Sequence, residues 1–157
     1  AAAGGYVLVV KLFLSTNKVD LDLKDNHRQT SLFLAATNRH AAVVKLLLKT
    51  SKVEVDSTNI HRETPLLQAV LGRHEAVVRL LLETRKVDLK AKDVFSLKTP
   101  LLLAAEIGHK AIVKLLLERG NSNPSLEDSF SSQTPQSQAV EGGHEAVVKL
   151  LLKAEIR

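Results

Sequence analysis

Hydrophobic and polar positions follow one another in blocks that return along this chain. In the block beginning at His74, Val77, Val78, Leu81 and Leu82 fall at i, i+1, i+4 and i+5. That spacing makes one broad apolar face at helical period. His74-Glu75-Ala76-Val77-Val78-Arg79-Leu80-Leu81-Leu82 returns as His144-Glu145-Ala146-Val147-Val148-Lys149-Leu150-Leu151-Leu152. Related blocks start at His40 and His109, and a fifth runs from Tyr6 to Leu14. A second motif keeps step with the first. Thr64-Pro65-Leu66-Leu67 recurs as Thr99-Pro100-Leu101-Leu102, and in degraded form as Thr30-Ser31-Leu32-Phe33 and Thr134-Pro135-Gln136-Ser137. These threonines stand 34, 35 and 35 residues apart. Two independent motifs in one register predict stacked repeats.

Each unit reads as two short helices. Thr caps the first, and Pro occupies its first helical position, where a missing N–H costs nothing. Small residues such as Ala69-Val70 and Ala104-Ala105 let the two helices approach closely. A turn such as Gly108-His109 or Gly142-Gly143-His144 starts the second helix. The polar segments that follow, such as Asp93 to Lys98, have extended and turn character. Neither helix can hide its apolar face alone, so stacked copies must bury those faces against each other. The predicted fold is an all-α solenoid of one domain. Residues 1–29 form a partial repeat, 30–63, 64–98 and 99–133 are full repeats, and 134–157 form a C-terminal repeat. No alternation of strand and helix points to a doubly wound sheet.

The Thr-Pro-Leu-x-x-Ala start, the Gly-His turn and the Val-Val-x-Leu-Leu-Leu second helix resemble ankyrin repeats over essentially the whole chain. The longer stretch Glu83-Thr84-Arg85-Lys86-Val87-Asp88 is similar to fungal-type ankyrin arrays. The resemblance implies helix–turn–helix units with finger loops, and a partner surface on the concave side. The departures carry their own expectations. Where the family has Gly in the turn before Thr, Arg28, Arg62 and Ser96 occupy or adjoin the place. The last two fingers carry one extra residue and are expected to deviate from the usual hairpin. Gln136 replaces a buried Leu, so the last repeat is expected to be weaker or to act as a cap. Ala1 to Gly5 match only the end of a first helix, which would leave apolar surface exposed on the helix from Val7 to Leu14. A fragment of a longer array is expected, or a free end covered by another chain. The absence of an initiator Met also suggests that residue 1 is not the natural start.

Composition narrows the function classes. The chain has 157 residues, 45% of them hydrophobic, with no Cys, Met or Trp. Disulfides, thiol nucleophiles and Cys-based zinc sites are therefore excluded. The lack of Cys fits an intracellular, cytoplasmic setting, with the nucleus also open. No apolar run reaches the ~18–20 residues of a membrane span, and Ala1 to Leu14 lack the charged start of a secretion signal. The net charge of +5 raises the alternative of a basic scaffold for nucleic acid or another polyanion. Lys11, Lys45, Arg79, Lys114 and Lys149 form a basic ladder on the second helices. Glu75 and Glu145 stand four residues before Arg79 and Lys149, the favourable order for helical ion pairs. Few aromatics are present to stack on bases. The ladder therefore reads as a solvated surface, and nucleic acid is disfavoured.

No enzyme is expected. The chain has no Gly-rich phosphate loop, nucleophile elbow or His-Glu-x-x-His helix. The polar stretch Ser129-Phe130-Ser131-Ser132 has no base placed beside it. His40, His74, His109 and His144 recur one per repeat, at a stacking distance of roughly 8–10 Å. Two of them cannot share a metal at bond lengths of ~2.0–2.1 Å, so each imidazole is expected to order its turn by hydrogen bonding. No cofactor or metal is implied. Asp20, Asp22, Asp25, Asp56, Asp88, Asp93 and Asp128 lie between repeats, where turn hydrogen bonds explain them.

The concave positions implied by the resemblance are Asn26, His27, Gln29, Thr37 and Asn38, then Ile60, His61, Glu63 and Leu71. Val94, Phe95, Lys98, Glu106 and Ile107 follow, then Ser129, Phe130, Gln133 and Glu141. Ile60, Leu71, Val94, Phe95, Ile107 and Phe130 are apolar where water should reach, a mark of interaction sites. The competing reading is that Val94, Phe95 and Phe130 fold back into the lengthened fingers. The expected function is protein–protein interaction through this face. The open first repeat also offers a surface for self-association.

Overall fold

A computed structural model describes residues 1–119 and 133–155. Among them it contains helices and turns and no strand. A lone helix α1 (Val7–Ser15) is followed by four antiparallel pairs. These are α2 (Ser31–Thr37) with α3 (Ala41–Lys49), α4 (Pro65–Leu71) with α5 (Glu75–Glu83), α6 (Pro100–Glu106) with α7 (Lys110–Glu118), and α8 (Pro135–Glu141) with α9 (Glu145–Glu155). Inner helices α2, α4, α6 and α8 pack in a row, and outer helices α1, α3, α5, α7 and α9 form a second row. The architecture is the predicted all-helical solenoid.

Local chemistry sets both ends of each inner helix. Thr30, Thr64, Thr99 and Thr134 each accept a hydrogen bond at Oγ1 from the backbone N–H three residues on, at 3.2–3.4 Å. At the far end, His74 N–H donates to Ala69 O and Arg73 N–H to Val70 O. This pair of bonds is a Schellman cap, which needs a left-handed residue just before the histidine, or before Tyr6 in the first unit. Gly5, Arg39, Arg73, Gly108 and Gly143 fill that place, with φ between 58° and 72°.

Stacking buries what the pairs cannot. Val43, Val77, Ile112 and Val147, at one position of successive outer helices, are at most 1% exposed. Their counterpart on α1, Val9, is 43% exposed. Phe13 is half exposed, while its counterparts Leu47, Leu81, Leu116 and Leu151 are fully buried. The apolar surface expected on the first outer helix is therefore present. The other end is open as well. Val140 is 58% exposed where Ala36, Val70 and Ala105 are buried, and Gln136 is only half-buried where Leu32, Leu66 and Leu101 are core.

Polar bonds tie neighbouring repeats. The histidine reading needs a correction, because three of the four side chains reach beyond their own turn. Nε2 of His40, His74 and His144 donates to the carbonyls of Ala3, Thr37 and Glu106 in the preceding repeat, at 2.9, 3.0 and 2.8 Å. His109 alone bonds within its own turn, its Nδ1 accepting from Ile112 N–H at 3.4 Å. Two of the inter-repeat aspartates also act across units. Asp22 accepts from Glu54 N–H at 2.9 and 3.0 Å, and Asp56 accepts from Asp88 N–H at 2.7 Å. The other oxygen of Asp56, Oδ1, is buried without a hydrogen-bond partner among the described residues. Burial pushes the Asp56 carboxyl above its ordinary range, opposed by the Asp88 N–H bond and reinforced by the charges of Asp88 and Glu54.

Of the two ion pairs expected on the outer helices, Glu75–Arg79 forms at 2.9 Å. Glu145 and Lys149 do not come within ion-pair distance. Both side chains are exposed, and the entropy of holding two long side chains together outweighs a screened attraction. No helix among the described residues is long and apolar enough to cross a membrane.

Two stability predictions follow from these cross-links. Replacing His74 with Ala removes a bond between repeats and should cost about 1–2 kcal/mol in urea unfolding, whereas His109→Ala should cost less. Asp56 holds its proton to higher pH folded than unfolded, so its ionisation opposes folding as pH rises above about 4. Asp56→Asn should therefore gain stability relative to the parent as pH rises above about 4, read as diverging melting temperatures.

Candidate partner-binding surface

Three fingers precede the inner helices α2, α4 and α6, and each is organised by one side chain. Asp25 Oδ1 accepts from His27 and Gln29 N–H, both at 2.8 Å. Asn59 Oδ1 accepts from His61 and Glu63 N–H at 2.9 and 3.0 Å. These Asx bonds replace a strand ladder with a local turn. In both fingers a left-handed residue, Arg28 or Arg62, reverses the chain. The third finger is one residue longer and deviates as expected. Asp93 Oδ1 gathers the N–H groups of Phe95, Ser96 and Leu97. The left-handed residue there is Leu97, at φ 53°, rather than Ser96.

The fingers are joined edge to edge. Ile60 N–H donates to His27 O at 3.0 Å, and Val94 N–H donates to His61 O at 3.1 Å. Each fingertip is therefore held at a fixed offset from the next. The His61 and Phe95 rings also meet across two fingers, centroids 5.0 Å apart and tilted by 49°.

The candidate residues separate into groups on this frame. Ile60, His61, Val94 and Phe95 come together at the fingertips. Phe95 is 74% exposed, and Ile60 and Val94 are each nearly half exposed. Phe95 therefore does not fold back into its finger. Asn26 and His27 are exposed on the first finger, with Gln29 half-buried at its base. Glu63 is turned to its own finger, accepting from Asn59 Nδ2 at 2.6 Å.

Leu71, Glu106 and Ile107 lie at the far ends of α4 and α6, about 10 Å along the helix from the finger bases. Leu71 is exposed and Ile107 half-buried. Thr37 and Asn38 occupy the same end of α2, where each returns a side-chain bond to its own helix, Thr37 to Phe33 O and Asn38 to Leu34 O. Lys98 bridges finger base and helix end by an ion pair with Glu106 at 2.8 Å. Gln133 and Glu141 repeat that bridge by a hydrogen bond at 2.6 Å. Phe130, Ser129 and Asp128 lie outside the described residues.

Sequence reasoning named the fingertip side chains but not their pairing. The His61–Phe95 contact depends on the offset between fingers, which no local motif encodes. Turn hydrogen bonding was expected of Asp25 and Asp93, but the equivalent role of Asn59 was missed. Their signal is an Asn or Asp five or six residues before each capping Thr. As for charge, the ladder of Lys11, Lys45, Arg79, Lys114 and Lys149 is exposed on the outer helices, away from the fingers.

The arrangement offers a contact surface with exposed apolar side chains on a hydrogen-bonded scaffold. No curated protein matches this chain. A family model described as ankyrin repeats (3 copies) matches residues 1–93 and 86–157. Ankyrin repeats are general protein–protein interaction modules and are generally not enzymes. Those matches span the chain from end to end, in the register of its caps, turns and stacked helices, and the chain belongs to the ankyrin-repeat family.

Proposed function

We propose that this protein binds a protein partner on its concave side, through the fingertips at Ile60, His61, Val94 and Phe95. Asn26, His27 and Gln29 extend the surface on the first finger, and Leu71, Lys98, Glu106 and Ile107 border it along the inner helices. Phe95 carries the reading. It is a large aromatic side chain, mostly exposed, on a finger whose backbone is tied to its neighbour. Aromatic anchors of this kind dominate interface energetics. A surface already ordered before contact also loses little conformational entropy on binding.

The polyanion reading has less support. The ladder cations Lys11, Lys45, Arg79, Lys114 and Lys149 stand one per repeat, and Arg79 and Lys114 are paired with Glu75 and Glu118. Counterion release would make such binding fall steeply with salt, so affinity measured across salt concentrations separates the two readings.

The direct test is affinity capture with the intact chain, followed by calorimetry with the captured protein. Phe95→Ala should weaken binding by more than about 1 kcal/mol. It should change folding stability by less than about 0.5 kcal/mol, because the ring is exposed. Unchanged affinity in a Phe95→Ala, Ile60→Ala double variant would remove the fingertips from the interface.

A further inference from the structure

A second feature lies at the opposite end of the inner helices from the fingers. The turns into α3 and α5 place arginine at the left-handed position, Arg39 at φ 63° and Arg73 at φ 58°. The equivalent turns of the other three units use Gly5, Gly108 and Gly143. The Schellman cap itself favours glycine, because a Cβ in the left-handed region crowds the backbone. The turn therefore gains nothing from either arginine. Arg28, Arg62 and Arg85 adopt the same backbone region elsewhere, so the conformation alone is no signal. What sets Arg39 and Arg73 apart is where they converge.

The two belong to adjacent repeats and line one cavity of about 420 Å³, together with His74, Glu75, Arg79 and His109. His74 is already committed, its Nε2 donating to Thr37 O. Glu75 is the single acid, and it is paired with Arg79 at 2.9 Å. Arg73 makes only a marginal bond to Ile107 O, at 3.5 Å. Arg39 has no side-chain partner among the described residues.

His109 is the histidine that breaks the cross-repeat series. Because its Nδ1 accepts from Ile112 N–H, a neutral ring carries its proton on Nε2. That N–H has no acceptor among the described residues. The cavity thus collects three guanidinium groups and one imidazole donor against one carboxylate. Its formal charge is +2 with His neutral, three arginines less Glu75. At the start of α5, Glu75 N–H and Val77 N–H are bonded to Arg73 O and His74 O and add no free donor.

Planar guanidinium forks match the paired oxygens of an oxyanion. Several forks lining one cavity, with surplus positive charge, suit a tetrahedral dianion better than a single carboxylate. We propose that the cavity between Arg39 and Arg73 binds a phosphate monoester, carried either on a phosphorylated protein side chain or on a small molecule.

The test is amide NMR titration of the intact protein with inorganic phosphate, N-acetyl-phosphoserine amide and acetate, at low salt. Phosphate should saturate shifts at residues 39, 73 and 109, and acetate should bind much more weakly. Tighter binding of the phosphoserine amide than of phosphate identifies a protein-borne phosphate. Equal binding identifies a small-molecule source, and the site stands in either case. Arg39→Gly with Arg73→Gly restores the residue the other turns use, so the double variant should melt at the same temperature or higher. It should lose phosphate affinity by about tenfold or more, from the charge-assisted bonds removed. Arg62→Gly relieves the same backbone conformation outside the cavity and should leave binding unchanged. The proposal is overturned by an absence of saturable shifts up to about 20 mM phosphate, an affinity below the weakest specific range. Equal binding of acetate, retention of affinity in the double variant, or an equal loss in Arg62→Gly would overturn it too.

Discussion

Burial in this molecule belongs to neighbours rather than to units. Each unit is two short helices with more apolar surface than the pair can cover. A fully buried Leu or Val contributes about 1.5–3 kcal/mol relative to an exposed one, and most such side chains here are covered only because another repeat lies against them. The two ends make this plain. Val9 and Phe13 have the residue types and register of the core yet stand in water, and Val140 does so at the other end. Stability is therefore a sum over interfaces.

Nonpolar stacking has no fine register of its own, and polar bonds supply it. His40, His74 and His144 each reach one repeat back to a carbonyl at the end of an inner helix. Asp22 and Asp56 hold the loops on the other side of the stack. The backbone bonds from Ile60 to His27 and from Val94 to His61 then carry the same offset into the fingers. A surface made of loops would ordinarily be mobile. Here each loop is tied to the next, so the apolar fingertips are presented in a set arrangement.

The same framework leaves positions whose side chains it does not need. The left-handed turn into each outer helix is satisfied by glycine in three of the five described units, and the stack is indifferent to what else could stand there. Arg39 and Arg73 use that indifference to bring charge together from two repeats, and His109 has turned its ring away from the cross-repeat bond beside them. The fingertips follow the same logic with apolar side chains. Both surfaces are made of residues that the fold tolerates rather than requires.

The repeats and their helices were legible in the chain, because the signals are local and recur. Thr-Pro at an inner-helix start satisfies an N–H three residues away, and the Val-Val-x-Leu-Leu face is a matter of helical period. The open face of α1 was legible too, since Ala1 to Gly5 could not supply a full inner helix. What tertiary structure decided lies between repeats. It sent three histidines across to carbonyls some 37 residues away and kept the fourth at home, left Asp56 Oδ1 buried without a partner, and set Phe95 outward against His61. Each outcome depends on the rotation and offset of one unit on the next, a quantity summed over many side-chain contacts and written in no single motif.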